Sequence, residues 1–156
     1  MTAAIERGQL LQEMGAARSR VMEAVRGLDD EQASRPEIDG WSVKDQLIHL
    51  TVCDEIRFHE IGRVSRGGEP GYANLNGERM DVFNETVVDL RRSLSRTQVL
   101  DDLAAARLRV LEAIDAAPER ALATELYGDG YPVNGSINHD NEHAAAISHW
   151  RKRVGI

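Results

Sequence analysis

The chain contains one cysteine, Cys53. That excludes an intrachain disulfide and suits a reducing compartment. It has no apolar run near the ~20 residues that a membrane-spanning helix requires. Its first residues, MTAAIERGQLLQEMG, lack the basic start and apolar middle of a secretory signal peptide. Together these absences predict a cytoplasmic location and no membrane partner. Basic residues are also in deficit: 19 Lys and Arg against 26 Asp and Glu leave a net charge of −7. A surface for nucleic acid needs the opposite sign, so nucleic acid is excluded as a partner. Gly and Pro are not in excess, and the chain has no repeat, no low-complexity tract and no strand-period run that demands a sheet.

What remains is helical periodicity. At 156 residues, 42% hydrophobic and 29% charged, the chain has the composition of one globular domain, residues 1–156, with a real core. Residues 3–28 carry Leu10, Met14, Ala17, Val21, Val25 and Leu28 on one stripe, an amphipathic helix. A polar connection containing Pro36 and about one helical turn follows, from Asp29 to Asp39. Ser42, with Asp45 three residues later, opens a second helix that runs to about Arg66. Val43, Leu47, Leu50, Phe58 and Ile61 form one of its stripes, and His49, Cys53, Ile56 and Glu60 a second. A helix with two inward stripes belongs at the centre of a bundle.

Gly67 to Gly77 is a loop by its glycines, Pro70 and asparagines. Glu78 to Leu94 has weaker periodicity and predicts a shorter or irregular linking helix. Ser95 or Thr97 caps the next helix, which turns Leu100, Leu103, Leu111 and Ile114 inward and stops at Pro118. A second glycine-marked loop, Ala123 to Gly135, carries Tyr127 and Tyr131 and leads into the last helix, Ser136 to Val154. Four long helices and a linker make an all-α bundle.

The last helix carries the chemistry. His139 and His143 are four residues apart and share a face with Ala146, Ile147, Trp150 and Val154. Two imidazoles at one end of an apolar stripe need partners, because unpaired buried polar groups are costly. A divalent metal satisfies both. His139, Glu142 and His143 also spell the inverted zinc-peptidase pattern, but only 13 residues follow His143, without a carboxylate, so that context is missing. His149 faces another side of the helix, and a third ligand must come from upstream. His49 lies on an inward stripe, whereas His59 sits beside polar positions. Three histidine nitrogens at ~2.0–2.1 Å would leave coordination positions open, as catalytic centres do.

Trp41-Ser42-Val43 opening a helix, His49 eight residues after the tryptophan, and the H-x-x-x-H pair on the last helix resemble the DinB/YfiT-like bacterial four-helix bundles. The resemblance extends over essentially the whole chain, including the closing Trp150-Arg151-Lys152-Arg153. It implies an up-down-down-up bundle, a tendency to form homodimers, and a divalent ion, zinc or nickel, on His49, His139 and His143. It also implies either a thiol S-transferase or isomerase that uses a low-molecular-weight thiol co-substrate such as mycothiol or bacillithiol, or a metal-dependent hydrolase. In either case the substrate is a small molecule. The alternative is a non-catalytic protein that sequesters a metal or a small compound. Around this site, Cys53 is either an inert buried thiol or a neighbour of the metal. Glu142 points away from the ligands, Trp41 packs at the helix start or lines the mouth, and Tyr127 and Tyr131 are candidates for the entrance. Because an unperturbed imidazole titrates near ~6.5, the three ligands predict metal release below about pH 6.

Overall fold

The first stripe in the chain becomes the first helix. In a computed structural model, which describes residues 7–71, 77–123 and 133–156, Leu10, Met14, Ala17, Val21 and Val25 are all buried on α1 (Arg7–Val25). A single turn, α2 (Asp30–Ala33), fills the polar connection and is held by a capping box between Asp29 and Gln32. Asp39 and Gly40 then both adopt positive φ, 52° and 85°, between Ile38 and Trp41, whose backbones exchange two 3.0 Å hydrogen bonds. Positive φ at both central residues is the pattern of a type I′ turn, which an Asp-Gly pair favours. The turn places Trp41 at the head of α3 (Val43–Ser65).

The α3 helix starts as its sequence predicts. The Ser42 side chain accepts from the Asp45 amide, and the Asp45 carboxylate accepts from the Ser42 amide. The linker is α4 (Gly77–Asp89), followed by α5 (Arg96–Ala116), capped by Ser95 with Gln98 as its reciprocal partner. A 3-10 turn spans Glu119–Leu122, and α6 (Val133–Val154) closes the chain. Among the described residues the one β-type pairing is the isolated Ile38–Trp41 bridge, and no helix is long and apolar enough to cross a membrane.

Layer by layer, the helix directions follow from which residues meet. One hydrophobic cluster gathers Val21 and Val25 of α1, Val43 and Leu47 of α3, Val99 and Leu103 of α5, and Ile147 and Trp150 of α6. The other gathers Leu10 and Met14, Ile61 and Val64, Val110 and Ile114, with Ile137 packed against it. The ends of α1 and α6 near the second cluster are their N-termini; for α3 and α5 they are the C-termini. The bundle is therefore up-down-down-up. Parallel neighbours pack most extensively, α3 with α5 and α1 with α6, and α4 carries the chain back up, with Val88 buried in the first cluster. This is the four-helix architecture with a linker helix.

Between the two clusters lies a layer of charge. Arg18, Asp54, Arg57, Arg107, Asp140 and Ser136 are all buried there. The Asp140 carboxylate accepts from Arg18 at 3.0 and 3.1 Å and from Arg107 at 2.8 Å. Asp54 accepts from Arg18 and Arg57, each at 3.0 Å. Arg107 also donates to Ser136 Oγ at 3.0 Å. Burial is tolerable because Asp54 meets the guanidinium groups of Arg18, Arg57 and Arg107, and Asp140 those of Arg18 and Arg107.

Several expected inward positions are less buried than their stripes imply. Leu100 and Leu111 are only partly buried, because α5 turns Val99, Ala106, Arg107 and Val110 inward beside Leu103 and Ile114. Val154, at the last residue of α6, is 36% exposed, beyond the reach of the first cluster.

Candidate metal centre

The His-bearing faces of α3 and α6 meet where the first cluster borders the charged layer. His49 Nε2 lies 2.9 Å from His139 Nε2, and His143 Nε2 lies 3.1 Å from the same atom. The i, i+4 spacing brings the α6 pair together, and the α3 stripe aims His49 at them. Trp41 stacks at a tilt on His49, ring centroids 5.3 Å apart, and its indole N–H donates to Glu85 of α4. Cys53, one turn after His49, holds its Sγ 3.8 Å from His49 Nε2. His59 and His149 are exposed and stand apart from this group. Tyr127 and Tyr131 lie outside the described residues.

Three facing nitrogens pose a hydrogen-bonding problem. A neutral imidazole has one donor and one acceptor nitrogen. His143 Nδ1 is 2.8 Å from Gln46 Oε1, an acceptor, so Nδ1 carries the proton and Nε2 turns a lone pair inward. His139 Nε2 faces two other ring nitrogens and can satisfy one of them at most. A cation among them satisfies all three. Two nitrogens bound at ~2.0–2.1 Å in a tetrahedral centre stand about 3.3 Å apart, and the observed 2.9 and 3.1 Å are within a few tenths of that. The donor set fits a divalent ion of the zinc or nickel type. His49, Cys53 and His139 also offer ligand atoms that all lie within 4.8 Å of one another.

Electrostatics keep the rings neutral. Burial lowers His49 to about 3, reinforced by His143 and Arg57. His139 falls to about 2, through burial, His143, Arg57, His49 and Arg18. His143 falls to about 4 by burial, opposed by the Asp140 carboxylate. The Arg57 guanidinium stands 3.5 Å from His139 Nδ1, a cation against which an imidazolium cannot easily form. Burial likewise pushes the Cys53 thiol up to about 11. Neutral imidazoles are the form that binds metal.

A cavity of about 310 Å³ opens onto these atoms, lined by Cys53, Arg57, Met80, Asn84, Asn138 and Glu142 as well as His49 and His139. Glu142, exposed at the mouth, does face this cavity although it lies off the ligand direction of α6. Met80 and Asn84 come from α4, so the linker helix forms one wall. A larger, shallow groove between α1 and α6 contains none of the histidines.

Sequence periodicity located the histidines but passed over Gln46 and the charged layer. Gln46 has no pattern of its own and is found only through its contact. The charged residues left a fainter mark: Asp54 and Arg107 occupy beats that the apolar stripes of their helices skip, between Leu50 and Ile61 and between Leu103 and Ile114.

No curated protein and no solved structure matches the chain. Residues 14–136 match the family model described as the mycothiol maleylpyruvate isomerase N-terminal domain. The match takes in His49 and Cys53 and ends before His139 and His143. With most of its length matched and the helix order of a DinB-like bundle, the chain belongs to the mycothiol maleylpyruvate isomerase N-terminal domain family, within the DinB-like superfamily.

Proposed function

We propose that His49, His139 and His143 hold one divalent ion, and that the protein is a metal-dependent enzyme joining a low-molecular-weight thiol to a small electrophilic substrate or isomerising such a substrate. The observation that carries this reading is that His49 Nε2 and His143 Nε2 each lie within 3.1 Å of His139 Nε2, beside a cavity that His49 and His139 line. The family membership favours the thiol branch over the hydrolase branch, with mycothiol as the co-substrate.

Each residue has a part in that chemistry. A divalent ion supplies a lowered pKa for a thiol entering the cavity, so that a thiolate exists near neutral pH. Gln46 holds His143 in the tautomer that presents Nε2. Trp41 and the first hydrophobic cluster exclude water from the His49 side. Arg57, paired with Asp54, sets its guanidinium in the cavity wall beside His139 Nδ1, where it disfavours protonation of that ring. Glu142 at the mouth is the lining carboxylate placed to exchange protons with solvent. About 310 Å³ suits a small substrate, at the lower end of ligand-pocket sizes.

The test has two stages. Metal analysis of the protein as isolated should give close to one zinc or nickel per chain, and none in the His139→Ala variant. The metal-loaded protein is then incubated with mycothiol or bacillithiol and a panel of small electrophiles. Thiol-dependent product formation that disappears on chelation supports the enzyme. Metal and thiol binding without turnover across the panel would favour a sequestering protein instead. Pairing of two copies, implied by the family resemblance, belongs to the same proposal, and sedimentation across a concentration series tests it.

A further inference from the structure

We propose that Cys53 is a fourth protein ligand of this centre, so that the donor set is three nitrogens and one sulfur. The inference rests on the three-histidine reading and goes beyond it. Cys53 follows His49 by one helical turn and faces the same way. Its Sγ lies 3.8 Å from His49 Nε2 and 3.9 Å from His49 Nδ1. With a metal–sulfur bond of ~2.3 Å and metal–nitrogen bonds of ~2.0–2.1 Å, sulfur and nitrogen in a tetrahedral centre stand about 3.6 Å apart. Sγ is nearly equidistant from the two ring nitrogens, so it lies off the line of the Nε2 lone pair, and ligation requires a rotation about χ1 of Cys53 that swings the sulfur by more than an ångström.

Three further observations point the same way. The ligand atoms of Cys53, His49 and His139 all lie within 4.8 Å of one another, so the sulfur is near both rings. Among the described residues, the sulfur's only hydrogen-bonding neighbour is the His49 ring. Cys53 also lines the cavity, which puts the sulfur on the side where a three-histidine centre has coordination positions to fill.

Binding through Cys53 breaks its S–H bond and forms a sulfur–metal bond, with the proton leaving to solvent and no change in oxidation state. The soft thiolate shifts preference toward thiophilic ions. A substrate thiol that enters the cavity can replace this sulfur like for like, its proton passing to the departing Cys53 sulfur, so the exchange leaves the charge of the centre unchanged.

Cobalt(II) and zinc(II) are the probes, added to the metal-free full chain. With cobalt, wild type should show a near-ultraviolet thiolate-to-cobalt charge-transfer band, and Cys53→Ser should lose the band while keeping the visible ligand-field absorption. X-ray absorption of the zinc-loaded wild type should contain one sulfur scatterer at ~2.3 Å beside nitrogens at ~2.0–2.1 Å. Cadmium's advantage over zinc in a competition titration should fall at least tenfold in Cys53→Ser. If Cys53→Ser does not fold, the X-ray absorption of wild type decides alone. Cobalt bound without the charge-transfer band, or zinc with nitrogen and oxygen neighbours only, overturns the role of Cys53 and leaves the histidine site intact. Wild type that takes up neither ion overturns the histidine site itself.

Discussion

His143 Nδ1 lies 2.8 Å from the side-chain oxygen of Gln46, so the first turn of α3 sets the tautomer of a ring on α6. The amide contributes no ligand atom, yet it decides which nitrogen of His143 faces the centre. Partners of this kind are worth about 10–100-fold in metal affinity. Gln46→Ala should weaken zinc binding by about that factor in a competition titration with a chromophoric chelator. Gln46→Glu, a stronger acceptor for the same N–H, should hold or raise affinity. Equal affinities in wild type and Gln46→Ala would remove Gln46 from the site.

The histidines supply the second test, because α6 carries both kinds. His139 and His143 face the centre, whereas His149 is exposed. Metal that binds only the folded chain adds about 2.7 kcal/mol at a hundredfold excess over Kd. At roughly 2–4 °C per kcal/mol for a chain of this size, that is a rise in Tm of about 5–11 °C. Wild type, His59→Ala and His149→Ala should show the rise. His49→Ala, His139→Ala and His143→Ala should show little of it. Similar shifts in all six proteins would place the ion elsewhere.

Acid should act on the same three rings in a definite direction. Their folded values of about 3, 2 and 4 lie below the ~6.5 of an unfolded histidine. Below pH ~6.5 the unfolded chain therefore binds more protons, and the metal-free protein loses stability as pH falls toward about 4. Burial causes most of this, with Arg57 of α3 and Arg18 of α1 adding to it at His139 and Asp140 of α6 opposing it at His143. The same depression means that protons compete poorly for the ligands. Metal should stay bound through pH 6, below which unperturbed imidazoles would let go, and leave nearer pH 4. Denaturant midpoints of the metal-free protein from pH 7 to 4.5 check the first statement, and metal content after dialysis checks the second. A flat stability profile would mean that the rings are solvated rather than buried.

How much of this was legible in the sequence depends on what each feature leaves in a pattern. The capping box at Ser42 is local chemistry, four residues long, and could be read directly, whereas the cap of α5 stayed open between Ser95 and Thr97 until the structure showed Ser95 paired with Gln98. The stripe of α1 was legible because its inward residues are apolar from Leu10 to Val25. The stripes of α3 and α5 were read with gaps, and the gaps are where Asp54 and Arg107 sit. A single charged residue on an apolar face reads as noise until its partner is known, and its partners here are on other helices, as with Arg18 and Asp140, 122 residues apart. The same holds for Gln46 and His143. Pair geometry within a helix is written in spacing, whereas geometry between helices is not.

The charged layer gives the last prediction. Asp140 is fully buried and accepts three hydrogen bonds from Arg18 and Arg107. Removing one partner of a buried, hydrogen-bonded ion pair leaves charge without compensation, at a cost of about 3–5 kcal/mol. Asp140→Ala should lose about that much in denaturant unfolding, and it should also loosen α6 beside His139. An exposed pair is the control. Arg26 and Glu23 are 76% and 63% exposed and paired at i, i+3, where a salt bridge contributes about 0–1 kcal/mol. Glu23→Gln should therefore change stability by less than about 1 kcal/mol. Replacing the whole layer by apolar residues of similar volume is a different experiment, because it removes the desolvation cost together with the attraction. Arg18→Met, Asp54→Leu, Arg57→Met, Arg107→Met and Asp140→Leu together should fold at least as stably as Asp140→Ala alone. Loss of metal affinity in that variant, with the fold retained, would assign the layer to positioning His139 rather than to holding the bundle together. If Asp140→Ala unfolds no more easily than Glu23→Gln, the layer is hydrated and its ion pairs do not behave as buried ones.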